Sequence, residues 1–211
     1  MKNTRSLTLL GILLAVEIIL CFTPLGFIPL GIINATTSHI PVIIGAIFLG
    51  PIGGMILGGA FGIMSMINAT TSPGLTSFVF SPFVSIGGIS GNFYSVITAM
   101  VPRILIGLVV AVAYSIMDKL KVKATLKYTL CGLIGSLTNT VLVLSCIYIF
   151  FGQEYATAIG SDFSLLFGFI MGIVMTNGVP EAIVAAVIVT MLCTILKKVF
   201  RQDFKLSLKR G

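Results

Sequence analysis

"HIPVIIGAIFLGPIGGMILGGAFGIMSMI" (residues 39–67) contains no Asp, Glu, Lys or Arg, and its reading decides the fold. It lies within a longer uncharged stretch. Between Glu17 and Arg103 the only side chain that titrates near neutral pH is His39. A run of that length without charge is buried in lipid or in protein. At its centre stands "LGPIGG" (49–54), a Gly/Pro turn with no room for a loop. Two short spans, about 38–52 and 53–68, are therefore expected to meet there, shielded by neighbours or by a locally thinned bilayer. The word "INATTS" flanks this hairpin on both sides, at 33–38 and again at 67–72. Thirty-four helical residues cover about 51 Å, close to two crossings of a thinned bilayer. Both copies are expected on the external face, close in space, as a polar rim built from two loops.

Composition agrees with a membrane interior. The 211 residues are 57% hydrophobic and only 9% charged, with a mean hydropathy of +1.14; soluble domains carry about 25% charged residues. The net charge of +7 is confined almost wholly to three clusters: Lys2/Arg5, Lys119/Lys121/Lys123/Lys127, and Lys197/Lys198/Arg201/Lys205/Lys209/Arg210. That distribution marks cytoplasmic anchors rather than a nucleic-acid surface. Even numbers of crossings must then separate the clusters. The apolar segments supply them at about 6–25, 38–52, 53–68, 94–117, 128–151 and 180–197.

The expected fold is an all-α integral membrane protein, with residues 1–211 forming a single six-helix domain and both termini cytoplasmic. The N-terminal apolar run lacks a small-x-small cleavage site and reads as a retained first helix. The apolar segment 163–175 is too short for a further crossing, and TNGVP (176–180) is expected to break it from the last span. A re-entrant or interfacial helix fits it.

Three external loops follow, about 23–37, 69–93 and 152–179, without Lys or Arg. The second is long and rich in Ser, Thr, Gly and aromatics, including Phe80, Phe83 and Tyr94, and reads as a lid over a site. Polar side chains in spans are expensive in hydrocarbon and face an interior or a cavity. Arg103, Asn139, Asn177 and Glu181 are placed to converge on an outer pocket, with Asn34, Thr36, His39, Asn68, Thr70 and Ser77 at its rim. Each also has a plainer reading. Arg103 pairs with Glu181 or Glu17, Asn177 caps a helix, His39 bonds locally, and Asn139 joins two helices. Glu17 is left without an assigned role.

The four cysteines stand singly and suggest neither disulfides nor a metal site. No phosphate loop, HExxH or GxSxG occurs, so neither an enzyme nor a cofactor is expected. On the first helix Gly11 and Ala15 are four apart and offer a small-residue face to another helix, within the bundle or in a partner.

This pattern resembles the substrate-binding S component of energy-coupling factor (ECF) vitamin transporters. Residues 39–67, TSFVFSPF (76–83), VPRILIG (101–107), GSLTNTVLVLSCIYIFFG (135–152) and TNGVPEAIVAA (176–186) look like the pantothenate-type members. The resemblance implies a high-affinity vitamin binder in a bacterial plasma membrane, surrounded by lipid. It would capture pantothenate externally and dock through Gly11 and Ala15 on a transmembrane coupling subunit with two cytoplasmic ATPases. Gly11 replaces the first Ala of the family's usual AxxxA. The alternatives are an S component for another vitamin, a self-sufficient proton-coupled secondary transporter using Glu17 and Glu181, and a scaffold without a ligand.

Overall fold

The computed structural model describes residues 4–23, 26–30 and 33–208. Its elements in chain order are α1 (Thr4–Phe22), β1 (Phe27–Leu30), β2 (Ile33–Thr36), α2 (Ile40–Thr71), a 3₁₀ turn (Ser77–Val79), β3 (Ser85–Ile86), β4 (Ile89–Ser90), α3 (Phe93–Lys119), α4 (Ala124–Ala158), α5 (Phe163–Ile173), a π turn (Val174–Gly178) and α6 (Val179–Leu208). Helix dominates, and two small antiparallel hairpins, β1–β2 and β3–β4, interrupt it. Among the described residues five helical stretches are long and apolar enough to cross a membrane: α1, α2, α3, α4, and α5 joined to α6. Their outer faces carry exposed Ile12, Ile19, Ile63, Val112, Ile149, Ile183 and Ile195, where a water-soluble bundle would place polar side chains.

α2 is not straight. Gly50 adopts φ +74°, a left-handed conformation open to glycine, and the Pro51 ring that follows has no N–H to continue the ladder. A Cβ built on Gly54 would lie 3.0 Å from the Ala46 Cα, although eight helical residues span about 12 Å. The chain therefore doubles back at Gly50, within the expected turn. Its arms, 40–49 and 51–71, are unequal, so the expected division at 52/53 and the end near 68 are corrected. The second arm continues through the second INATTS copy because Thr70 and Thr71 donate their hydroxyls to the carbonyls of Met66 and Ile67. These residues keep the helix despite their polarity. That copy is the end of a helix, and the two-loop rim is corrected accordingly.

The returning arm presents Gly54, Gly58 and Gly62, four residues apart, to α3. A Cβ on Gly54 would meet Gly107 Cα at 2.9 Å, one on Gly58 the Arg103 carbonyl oxygen at 2.1 Å, and one on Gly62 the Ala99 carbonyl oxygen at 2.8 Å. Without side chains the backbones pack directly together, which is how small residues drive helix association in lipid. This stripe fixes the height and rotation of α3.

α3 starts with a capping box. The Asn92 side chain accepts from the backbone at the start of the helix and Ser95 Oγ accepts from Asn92 N. At its other end Lys127 of α4 donates to Asp118. α4 extends to Ala158, past the expected end at 151, with a local distortion at Phe151. The third loop thus contracts to 159–162. TNGVP does not break the chain either. A π turn over Val174–Gly178 carries α5 into α6, and Thr176 donates to the Gly172 carbonyl within it. An insertion in the helical ladder absorbs a Gly and a Pro that sequence alone reads as a stop.

Two apolar cores result. One joins α1, α2, α3, α4 and α6 around Leu13, Ile43, Leu57, Ile106 and Val189. The other packs Phe78 and Val79 of the 72–92 loop against Phe151 and Tyr155 of α4 and Leu166 of α5.

Candidate functional site

Arg103 lies at the junction of α2, α3 and the 72–92 loop. It is 6% exposed. One terminal nitrogen donates to the Thr98 carbonyl at 2.7 Å and the other to Ser65 Oγ at 3.4 Å, while Nε has no partner. The guanidinium carbon lies 5.4 Å from the Phe61 ring centroid and 5.1 Å from that of Phe80, so two aromatic rings flank the charge. Among the described residues Arg103 has no carboxylate partner; the ion pair they contain is Lys127–Asp118. The expected alternative of a structural pair with Glu17 is therefore corrected. Neither Glu17 oxygen accepts a hydrogen bond.

The loop that supplies Phe80 is held in place. Ser95 Oγ donates to the Phe78 carbonyl at 2.7 Å, and Phe78 and Val79 are wholly buried. The Thr70 and Ser81 hydroxyls lie 2.7 Å apart and join the end of α2 to the same loop. Ser77 accepts from Gly74 N at 2.9 Å; it shapes the loop. Asn68 is half-buried, and its carbonyl accepts from Ser72 N.

Other candidates gather elsewhere. β2, which carries Asn34 and Thr36, packs against α6 and the π turn, which carries Asn177; the side chains of Asn34 and Thr36 lie outside the described residues. A Cβ on Gly178 would sit 2.9 Å from Thr140 Cγ2, so the π turn also abuts α4 beside Asn139. Asn139 Oδ1 is buried without a partner, as is Ser136 Oγ one turn earlier. Asn177 Oδ1 accepts from Thr176, and Glu181 is buried at the start of α6. His39 is 0% exposed at the head of α2, with neither ring nitrogen bonded. It lies within electrostatic range of Arg103, as do Cys21 of α1 and Cys146 of α4.

Glu17, His39, Arg103, Ser136 and Asn139 thus carry polar atoms with no protein partner in an otherwise apolar bundle. Buried polar groups are nearly always satisfied, so each of these orphans marks a position where a polar ligand or water completes the bonding. Ser65, Phe61 and Ser136 were absent from the sequence candidates. The signal for Ser65 and Ser136 was a hydroxyl in an otherwise apolar span; Phe61 carried none. On the opposite side, Gly11 and Ala15 face outward from α1, and a Cβ on Gly11 would meet nothing within 4 Å. The buried stripe of α1 is Leu9, Leu13, Glu17 and Cys21, so the small-residue face does not serve packing within the bundle.

The family model for the substrate-specific component of ECF transporters matches residues 5–193. The chain belongs to this family.

Two relatives sharpen the comparison. The S component is 40% identical over 122 residues to the pantothenic acid transporter PanT of Lactococcus lactis subsp. cremoris (strain MG1363), covering 57% of this chain and 60% of that one. It is 31% identical over 150 residues to the pantothenate transporter PanT of Leuconostoc mesenteroides subsp. mesenteroides, covering 68% of each. The matched region thus spans about 60% of the length of the Lactococcus relative.

Proposed function

We propose that this S component binds pantothenate from the external side of a bacterial plasma membrane and delivers it inward after docking on an ATPase-driven module. The carrying observation is Arg103, buried, flanked by Phe61 and Phe80, and without a carboxylate partner among the described residues. A desolvated cation of this kind requires an anion. Its unpartnered Nε–H and the neighbouring terminal N–H form a fork that matches a carboxylate. Pantothenate has one carboxylate, one amide and two hydroxyls. The orphaned Asn139 and Ser136 oxygens suit its amide donor. The names of both relatives favour the same ligand.

In this reading the two arms of α2 act as separate crossings, giving six in all, and the three Lys/Arg clusters lie in the cytoplasm. The 72–92 loop is the lid on the external side, with α5 as a short outer helix braced against it. The fork of Arg103 holds the carboxylate, and Phe80 keeps water from it. The outward Gly11/Ala15 face of α1 meets a helix of a transmembrane coupling subunit, which links the S component to two cytoplasmic ATPases. No chemical step is required of the chain.

The test is equilibrium binding to the purified lone chain in detergent, with pantothenate against riboflavin, biotin and folate. One-to-one binding of pantothenate alone supports the reading. Binding of another vitamin instead discards pantothenate but keeps the family role.

A further inference from the structure

Among the described residues Glu17 and His39 are the two wholly buried titratable side chains that have no hydrogen-bond partner at either terminal atom. They come from different elements, α1 and the head of α2, which meet near them. Cys21, one turn beyond Glu17 on the same buried stripe of α1, meets the side chain of Ser38, the residue before His39. Cys21 feels both Glu17 and Arg103, and His39 feels Arg103. The buried stripe of α1 that carries Glu17 therefore meets the head of α2 beside His39 through the Cys21–Ser38 contact, with Arg103 of α3 in electrostatic range of Cys21 and His39.

An unsatisfied carboxyl and an unsatisfied imidazole in hydrocarbon are each destabilising, and the fold retains both. Arg103 supplies donors only. A carboxyl accepts hydrogen bonds, and a neutral imidazole offers one donor and one acceptor, so these two complement a group that both donates and accepts. A hydroxyl does both; a carboxylate does not.

We propose that Glu17 and His39 form a second pole of the substrate site, which takes the hydroxyl-bearing end of the ligand while Arg103 takes its carboxylate. This rests on the reading of the chain as a binder of pantothenate and adds the determinant that distinguishes a hydroxylated acid from a plain one. The two ends of the ligand are read by different chemistries, cationic donors at one and a mixed set of acceptors and a donor at the other. An amphiphilic carboxylic acid without hydroxyls would leave Glu17 and His39 unpaired and be rejected.

The experiment compares two ligands on three proteins by titration calorimetry in detergent. The ligands are pantothenate and the analogue that keeps its carboxylate, amide and carbon skeleton but lacks both hydroxyls. The proteins are the unaltered chain, Glu17→Gln and His39→Leu. The unaltered chain is expected to bind the analogue at least about tenfold more weakly. Each substitution should weaken pantothenate about ten- to a hundredfold while changing the analogue little. Equal binding of the two ligands by the unaltered chain overturns the second pole while leaving pantothenate recognition intact, and it requires no variant to fold. Equal losses for both ligands in the variants also overturn it, since they would reflect a general structural role. Failure of the unaltered chain to bind pantothenate at all overturns the functional reading and this pole with it.

Discussion

The carbonyl of Arg103 sits 2.1 Å from where a Cβ on Gly58 would be, so the residue that carries the charge of the site is set directly on the glycine stripe of α2. The position of the guanidinium depends on that backbone contact. Gly58→Ala forces the helices apart against backbone atoms that cannot rotate away. Overpacking of this kind is destabilising by about 1–3 kcal/mol, and here it also displaces Arg103. The neighbouring Gly59 has only Ile104 Cγ1, at 3.9 Å, near its would-be Cβ. Thermal unfolding in detergent should show a clear loss for Gly58→Ala and little change for Gly59→Ala. Equal stability of the two variants would contradict the close packing.

Phe80 is expected to act on the ligand through Arg103. Replacing it with Leu keeps apolar cover but removes a ring 5.1 Å from the cation, an interaction of about 2 kcal/mol for a desolvated pair. Calorimetry should find pantothenate bound more weakly by Phe80→Leu, by up to about thirtyfold. An unchanged affinity would show that the ring contributes nothing beyond covering the site.

The 72–92 loop, the proposed lid, is tied to α3 through the buried hydroxyl of Ser95. Ser95 donates to Phe78 and accepts from Asn92 N, so Ser95→Ala releases the 72–92 loop and weakens the start of α3 together. A loss of about 1–2 kcal/mol should appear in the unfolding midpoint, and ligand release measured by stopped flow should accelerate. A faster release without faster capture is the specific sign of a loosened lid.

Much of this was legible in the sequence. The absence of charge between Glu17 and Arg103 fixes a membrane interior, and LGPIGG locates the reversal to within a residue or two of Gly50. Arg103 stands out as the lone cation away from the terminal and loop clusters. Less legible was the persistence of helix through polar words. INATT (67–71) and QEYATA (153–158) look like loop, but threonines at 70, 71 and 157 bond back to carbonyls four residues earlier. The π turn over Val174–Gly178 was hidden because Gly and Pro signal a stop, while a one-residue insertion lets the helix pass. The Gly54/Gly58/Gly62 stripe was visible as a spacing, but its partner helix was not. Glu17 could not be assigned because its helix meets the head of α2, at Cys21 and Ser38, only in three dimensions.

The outward face of α1 predicts a separation of binding from transport. Gly11→Leu adds bulk where nothing lies within 4 Å, so the lone chain should fold and bind pantothenate with unchanged affinity. Uptake by the assembled transporter in vesicles supplied with ATP should fall at least about tenfold, since small residues are what permit close helix approach. Normal uptake by this variant would remove Gly11 from the docking surface.

The central claim is that Arg103 recognises the carboxylate of pantothenate. It is tested most directly by the affinity ratio between pantothenate and the corresponding alcohol, measured on the unaltered chain and on Arg103→Gln. The unaltered chain should prefer pantothenate by at least about tenfold, as expected for a charge-assisted hydrogen bond, and Arg103→Gln should abolish that preference. A folded Arg103→Gln protein that still prefers the acid by the same ratio would contradict the account.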